Sequence, residues 1–323
     1  MADPILVDIN KRPRQSYPFL WADYVELLAL CSQDGRFSRG NLAETEQEIN
    51  DLETDDNEND ETKSQSEQDD AISQRWADIK PRLELRSKTF AYWPFELRGN
   101  VLHRCYDDTN PGHRLYVTLL IAASYRLCHE KRAGEVGAAL EELAYLLMTK
   151  MLGKGWEVRP FGAHQSIAGG YAGTLRQKLE ALAIDVHARL MKDEEDYSPS
   201  NTGDGGLDVV AWNTFGDNRG HMPVIFAQCG CSPTDWEHKQ LSVTPAAIEA
   251  HITPQHPGEA WYVSPQDLYL SHNRWDREAH VAKVILLDRF RLLNLAKEHD
   301  LGTTIPAWPF ASEAASLQYK LTA

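Results

Sequence analysis

Apolar residues recur at helical spacing in residues 18–33 (PFLWADYVELLALCSQ), which predicts a helix with one buried face. A second apolar helix is predicted over residues 113–130, HRLYVTLLIAASYRLCHE. From Gly134 the pattern changes. GEVGAALEELAYLLMTKML predicts a helix whose Leu140, Leu143, Ala144, Leu147 and Met151 share one stripe, ended by Gly153 and Gly155. Trp156 to Phe161 reads as a strand, Gly162 to Gly173 as a glycine-rich loop, and Thr174 to Met191 as a long helix. After a polar stretch, Lys192 to Gly203, strands are predicted at 207–212 and 223–229. A helix over about 234–250 follows, broken at Pro245. Further strands are predicted at Glu259–Val263 and Val284–Asp288, then a helix from Arg289 to His299. Strands alternating with helices predict an α/β sheet domain.

The first 130 residues lack that alternation. They predict a mostly helical accessory region, with aromatics Trp76, Phe90, Tyr92, Trp93 and Phe95 flanking a loop. Residues 41–70 are Glu, Asp, Asn, Ser and Gln with almost no large apolar side chain, so burial cannot offset their ordering entropy. They read as a disordered acidic insert. The expected organisation is an accessory region, 1–130, and an α/β domain, 131–323.

Composition changes this picture in two ways. The net charge of -15 argues against a nucleic-acid partner until it is located. Residues 41–70 hold thirteen acids and one lysine, so twelve of those charges sit in the insert and the remainder is nearly neutral. At 323 residues and 42% hydrophobic the chain can bury a sizeable core. No apolar run is long enough to cross a bilayer, and Met1 to Arg14 carries no apolar signal core. Five irregularly spaced cysteines (Cys31, Cys105, Cys128, Cys229, Cys231) fit reduced thiols, and the expected location is the cytoplasm.

The candidate chemistry lies at two strand ends. GDGGLDVVAW (203–212) is a turn and a strand opening with Asp208, and PVIFAQ (223–228) is a strand ending in Gln228. Strand alternation sets Asp208 with Val210 and Trp212, and Gln228 with Val224 and Phe226. If the strands pair, a carboxylate and an amide oxygen converge, both hard donors suited to Mg²⁺ or Mn²⁺. Glu141, at the edge of its helical stripe, is the candidate third oxygen. Asp208 alone could equally close a glycine-rich turn, and Asp204 reads as a turn residue. Cys229 and Cys231 with His221 or His238 invite a zinc reading, but their spacing is not that of a zinc knuckle. The loop FGAHQSIAGGYAGT lacks the Gly-Lys-Ser/Thr ending of a P-loop.

The order Leu-Glu-Glu-Leu, Gly-Leu-Asp-Val-Val and Val-Ile-Phe-Ala-Gln resembles the PD-(D/E)xK nuclease superfamily, most of all its Mrr-type branches. The resemblance covers roughly residues 134–290. It implies a restriction-endonuclease-like mixed sheet flanked by helices. It also implies a metal site of Glu141, Asp208 and Gln228 holding Mg²⁺ or Mn²⁺. The family's lysine should stand two residues after Gln228, where this chain has Gly230, so Lys239 on the next helix is the candidate replacement. Arg176, Lys178 and His164, in or just after the glycine-rich loop, are candidate nucleic-acid contacts. The implied activity is metal-dependent hydrolysis of phosphodiester bonds in DNA, by the effector subunit of a bacterial restriction or anti-phage defence system. Targeting or ATPase activity would come from a partner protein subunit, with self-association through the N-terminal region as another expectation. The alternative is a catalytically inactive relative acting in complex assembly or nucleic-acid binding.

Overall fold

The computed structural model describes residues 3–7, 9, 11–13, 17–45, 65–162, 169–198, 200–217 and 219–318. The chain divides into two compact units, Met1–Ala133 with Pro306–Ala323, and Gly134–Ile305. The final segment thus belongs to the first unit, whereas the pattern analysis grouped it with the α/β domain. Its helix Phe310–Ala315 is held there by contacts remote in sequence. Arg132 pairs with Glu313 at 3.1 Å, and Arg104 donates to the Ala315 carbonyl at 3.3 Å.

In the first unit, α1 (Pro18–Cys31) is buried from Phe19 to Cys31, not on one face as its periodicity predicts. A helix that is apolar all round belongs in a core. That burial takes Asp23 and Glu26 out of water, and α2 (Gln65–Thr89) supplies the partner. Arg86, fully buried, reaches Asp23 at 2.6 Å and Glu26 at 2.9 Å. Trp93 Nε1 and the Tyr116 hydroxyl donate to the two Glu26 oxygens, each at 2.8 Å. Residues 46–64 of the acidic insert lie outside the described residues, while 41–45 and 65–70 at its edges are helical.

The expected loop among the aromatics is part of a sheet. Strands β1 (Arg36–Ser38), β2 (Phe95–Arg98) and β3 (Val101–Arg104) pair antiparallel in the order β1-β3-β2. Gly99-Asn100 makes the two-residue turn, with Gly99 at φ +63°. The helix expected over 113–130 is α3 (Pro111–Ala123), started by Asn110, whose side chain accepts the Gly112 and His113 amides. It stops before a 3₁₀ turn at Tyr125–Leu127, and α4 (Glu130–Leu152) begins anew.

The second unit is built on a five-stranded mixed sheet. Its strands in chain order are β4 (Trp156–Pro160), β6 (Val209–Asn213), β7 (Val224–Cys229), β9 (Glu259–Val263) and β12 (Ile285–Leu287). They lie in the order β12-β9-β7-β6-β4. β4, β6 and β7 are antiparallel neighbours, while β9 is parallel to β7 and β12 to β9. Two small ladders accompany it: β5 (Arg189–Leu190) with β8 (Ile252–Thr253), and β10 (Tyr269–Leu270) with β11 (Arg274–Trp275). Val210, Trp212, Val224 and Phe226 pack in one cluster with Leu175, Leu179 and Leu182 of α5 (Leu175–Asp185). That helix ends before the predicted Met191, because 189–190 leave it to pair with β8. Pro245 breaks the run 236–249 as expected, separating α6 (Trp236–Lys239) and a 3₁₀ turn from α7 (Pro245–Glu249). α8 (Arg289–Glu298) follows β12, capped by Asp288. No helix among the described residues is long and apolar enough to cross a membrane.

Removing one side of the Arg86 network leaves buried charge uncompensated. Arg86→Met is expected to lower stability by roughly 3–5 kcal/mol, read as an earlier denaturant midpoint in urea unfolding.

Candidate functional site

Asp208 stands one residue ahead of β6 and extends its ladder. Its amide donates to the Ala227 carbonyl at 2.9 Å, the same residue that Val209 faces across the ladder. Its own carbonyl accepts the amides of Phe161 and Gly162, at 2.7 and 3.1 Å, just past the end of β4. The carboxylate is 6% exposed and accepts the Cys229 amide at 2.7 Å. Strand pairing therefore holds Asp208 on both sides.

Glu141, half-buried on α4, comes to the same place. A Cβ on Gly162 would lie 2.6 Å from Glu141 Oε2 and 3.1 Å from Asp208 Oδ1. The two carboxylates thus crowd a single Cα that has no side chain. Burial, then the Asp208 charge, then Asp204 push the Glu141 carboxyl well above its ordinary range, with the Lys178 ammonium opposing. Burial likewise raises Asp208, opposed first by the Cys229 amide; Asp204 adds to the rise and Lys239 counters it. Asp204 is the turn residue expected, accepting the Gly206 amide at 2.7 Å, yet its charge bears on both carboxylates.

Gln228 is half-buried, and its amide oxygen accepts the Ser242 hydroxyl, which also lies 2.9 Å from the Lys239 carbonyl and 3.3 Å from that of Gly206. One hydroxyl proton serves one of these at a time, so Gln228 is steadied rather than locked. Lys239 ends α6 with an exposed side chain whose charge favours ionised Asp208.

Position 230 explains itself through β9. A Cβ on Gly230 would fall 2.0 Å from the Tyr262 hydroxyl and 2.9 Å from its Cζ. Tyr262 is fully buried, its hydroxyl has no hydrogen-bond partner among the described residues, and burial raises its pKa. No lysine fits at 230 beside it.

The structure does not present the basic candidates of the glycine-rich loop and its helix as an exposed surface. Arg176 turns inward, pairing with Glu180 at 2.6 Å and donating to the Lys192 carbonyl at 2.8 Å. Lys178 is 4% exposed and donates to the carbonyls of Thr202 and Gly203, each at 3.2 Å. The two therefore form no exposed basic pair, because the helix rotation buries one and a local pair occupies the other. His164 lies outside the described residues. Among the described residues no group of three His, Cys, Asp or Glu side chains is arranged to hold a metal ion. The Glu141 and Asp208 pair needs the Gln228 amide oxygen to make three donors.

Sequence reasoning missed Lys178 as an interior group and Tyr262 altogether. The signal for Lys178 was present: it lies three residues from Leu175 and four from Leu182, inside the apolar stripe of α5. Tyr262 gave none, since a tyrosine in a buried strand reads as core.

No family model matches the chain, and neither a curated protein nor a solved structure matches it.

Two measurements check this geometry. Carboxyls raised in the folded state make the metal-free protein most stable below the ordinary carboxylate range. That stability is lost as pH rises through their raised values. Asp208→Asn is expected to raise the Tm of metal-free protein at neutral pH, a difference that vanishes on acidification below the ordinary range. Gly230→Ala should destabilise by about 1–3 kcal/mol through overpacking. Tyr262→Phe should recover part of that loss, a coupling read by a double-mutant cycle.

Proposed function

We propose that the second unit is a metal-dependent nuclease of the restriction-endonuclease-like class, hydrolysing phosphodiester bonds in DNA. The observation that carries this reading is the meeting of Glu141 and Asp208 at Gly162, beside the end of β7 that carries Gln228. The fold supports it. α4 with its glutamate precedes β4, β6 and β7, antiparallel in that order, and the helical run 236–249 leads to β9, parallel to β7.

The donor set fits a hard divalent cation. Two carboxylates and an amide oxygen are ligand types suited to Mg²⁺ and Mn²⁺, and both carboxylates crowd the position that a side chain at 162 would take. Like charges buried together call for a cation to keep both ionised. Glu141, Asp208 and Gln228 would hold it. A bound divalent cation supplies charge neutralisation at a phosphoryl oxygen and an acidified water. The chain's own groups do the remainder. The Cys229 amide and the β4 backbone fix Asp208 in place. Gln228 binds and orients but does not titrate near neutrality, so it is no base. Lys239, exposed beside Asp208, stands where it can meet an incoming phosphate.

Placement in a bacterial restriction or anti-phage system, with a partner subunit for targeting, rests on the resemblance alone. The exclusion of a lysine at position 230 favours the second reading, an inactive relative kept for assembly or nucleic-acid binding. Plasmid cleavage decides between them. Wild type is expected to cut with Mg²⁺ or Mn²⁺, and Asp208→Ala to lose at least about 100-fold, the scale of removing a principal electrostatic group. Wild type that leaves every substrate intact with either cation would establish the second reading.

A further inference from the structure

We propose that Lys178 is the fixed ammonium of this centre, supplied from α5 because strand β7 cannot carry a lysine at position 230. The proposal rests on the nuclease reading and identifies its positioning cation.

The strand route is closed by the Tyr262 hydroxyl, which occupies the space of any Cβ at residue 230. Lys239 is the alternative, but its side chain is exposed, and a solvated ammonium on a flexible stem is a weak fixed charge. Lys178 differs in each respect. It is 4% exposed, on the face of α5 that buries Leu175, Leu179 and Leu182. An apolar side chain would pack there without the desolvation penalty of an ammonium, so the lysine calls for an electrostatic reason.

Its surroundings point to one. Nζ donates to Thr202 and Gly203, two carbonyls of the run that leads into Asp208. It lies 5.9 Å from the centre of the Phe161 ring. Phe161 in turn donates its amide to the Asp208 carbonyl and precedes Gly162, where the two carboxylates meet. The Lys178 charge also favours ionised Glu141. Of its three N–H donors, two are used, and the third has no acceptor among the described residues. Lys178 is thus a positioning residue. It ties the 202–208 turn to α5 and sets the balance of charge around Glu141.

That double role makes Lys178→Gln the informative variant, because the amide keeps two N–H donors for the carbonyls and removes only the charge. Mn²⁺ affinity by calorimetry and single-site cleavage kinetics are compared for wild type, Lys178→Gln and Lys239→Gln. At a pH where both carboxyls are ionised, removal of this positive charge should tighten Mn²⁺ binding by about tenfold while slowing kcat by about tenfold, with KM unchanged. A purely structural lysine would weaken both binding and cleavage, or change neither. Lys239→Gln should raise KM and leave kcat in place. Mn²⁺ binding by Lys178→Gln no tighter than wild type overturns the proposal, even if the wild type is an efficient nuclease. If wild type binds Mn²⁺ and cuts nothing, the nuclease reading falls, and the binding comparison still decides whether Lys178 sets the charge. Should Lys178→Gln fail to fold by circular dichroism, Lys239→Gln decides: a loss of kcat at unchanged KM makes Lys239 the fixed cation and overturns the proposal, whereas a rise in KM alone supports it.

Discussion

Two carboxylates share one glycine, and most of the second unit is arranged around that constraint. Glu141 and Asp208 are sixty-seven positions apart, yet both press on the Cα of Gly162. Buried acids repel and prefer to be neutral, so their approach must be held by something stronger than their own contact. The holding is done by backbone. Phe161 and Gly162, just past β4, donate their amides to the Asp208 carbonyl, β7 donates one to its carboxylate, and α4 delivers Glu141 from the neighbouring segment. Asp208 is therefore held by main-chain amides on both sides, three of them given by the segments that follow β4 and end β7.

The first unit solves a related problem the opposite way. There two acids, Asp23 and Glu26, are also buried, but Arg86 neutralises them and Trp93 and Tyr116 satisfy the remaining lone pairs of Glu26. A carboxylate pair with its own internal cation is complete. At the pair by Gly162, the charge of buried Lys178 favours ionised Glu141 and that of exposed Lys239 favours ionised Asp208, and burial still raises both carboxyls. That difference is why the second pair reads as a site and the first as scaffold.

Much of the second unit was legible because its strands are short apolar runs bounded by turn residues. The expected Glu259–Val263 is β9 residue for residue, and 223–229 differs from β7 by one position. The places of Asp208 just before β6 and of Gln228 near the end of β7 were legible for the same reason. The Gly162 cradle was not, because nothing local ties residue 162 to 141 or 208. The first unit was harder. Its strands are three or four residues long, and a Gly99-Asn100 hairpin turn went unread among aromatics that suggested a loop. α1 misled by its periodicity: Asp23 and Glu26 look like a polar face until Arg86, sixty positions away, covers them. Lys178 misled by its charge, which suggested a surface contact although its place in the stripe said interior.

The quarrel between Gly230 and Tyr262 constrains how this chain can change. A side chain cannot be placed at 230 without a change at 262, because the phenol already fills that space. Lysine installed first meets the ring, and tyrosine trimmed first leaves a void under β9. The two positions are therefore one packing unit, and loss of the phenolic oxygen is what would free the space that a side chain at 230 needs.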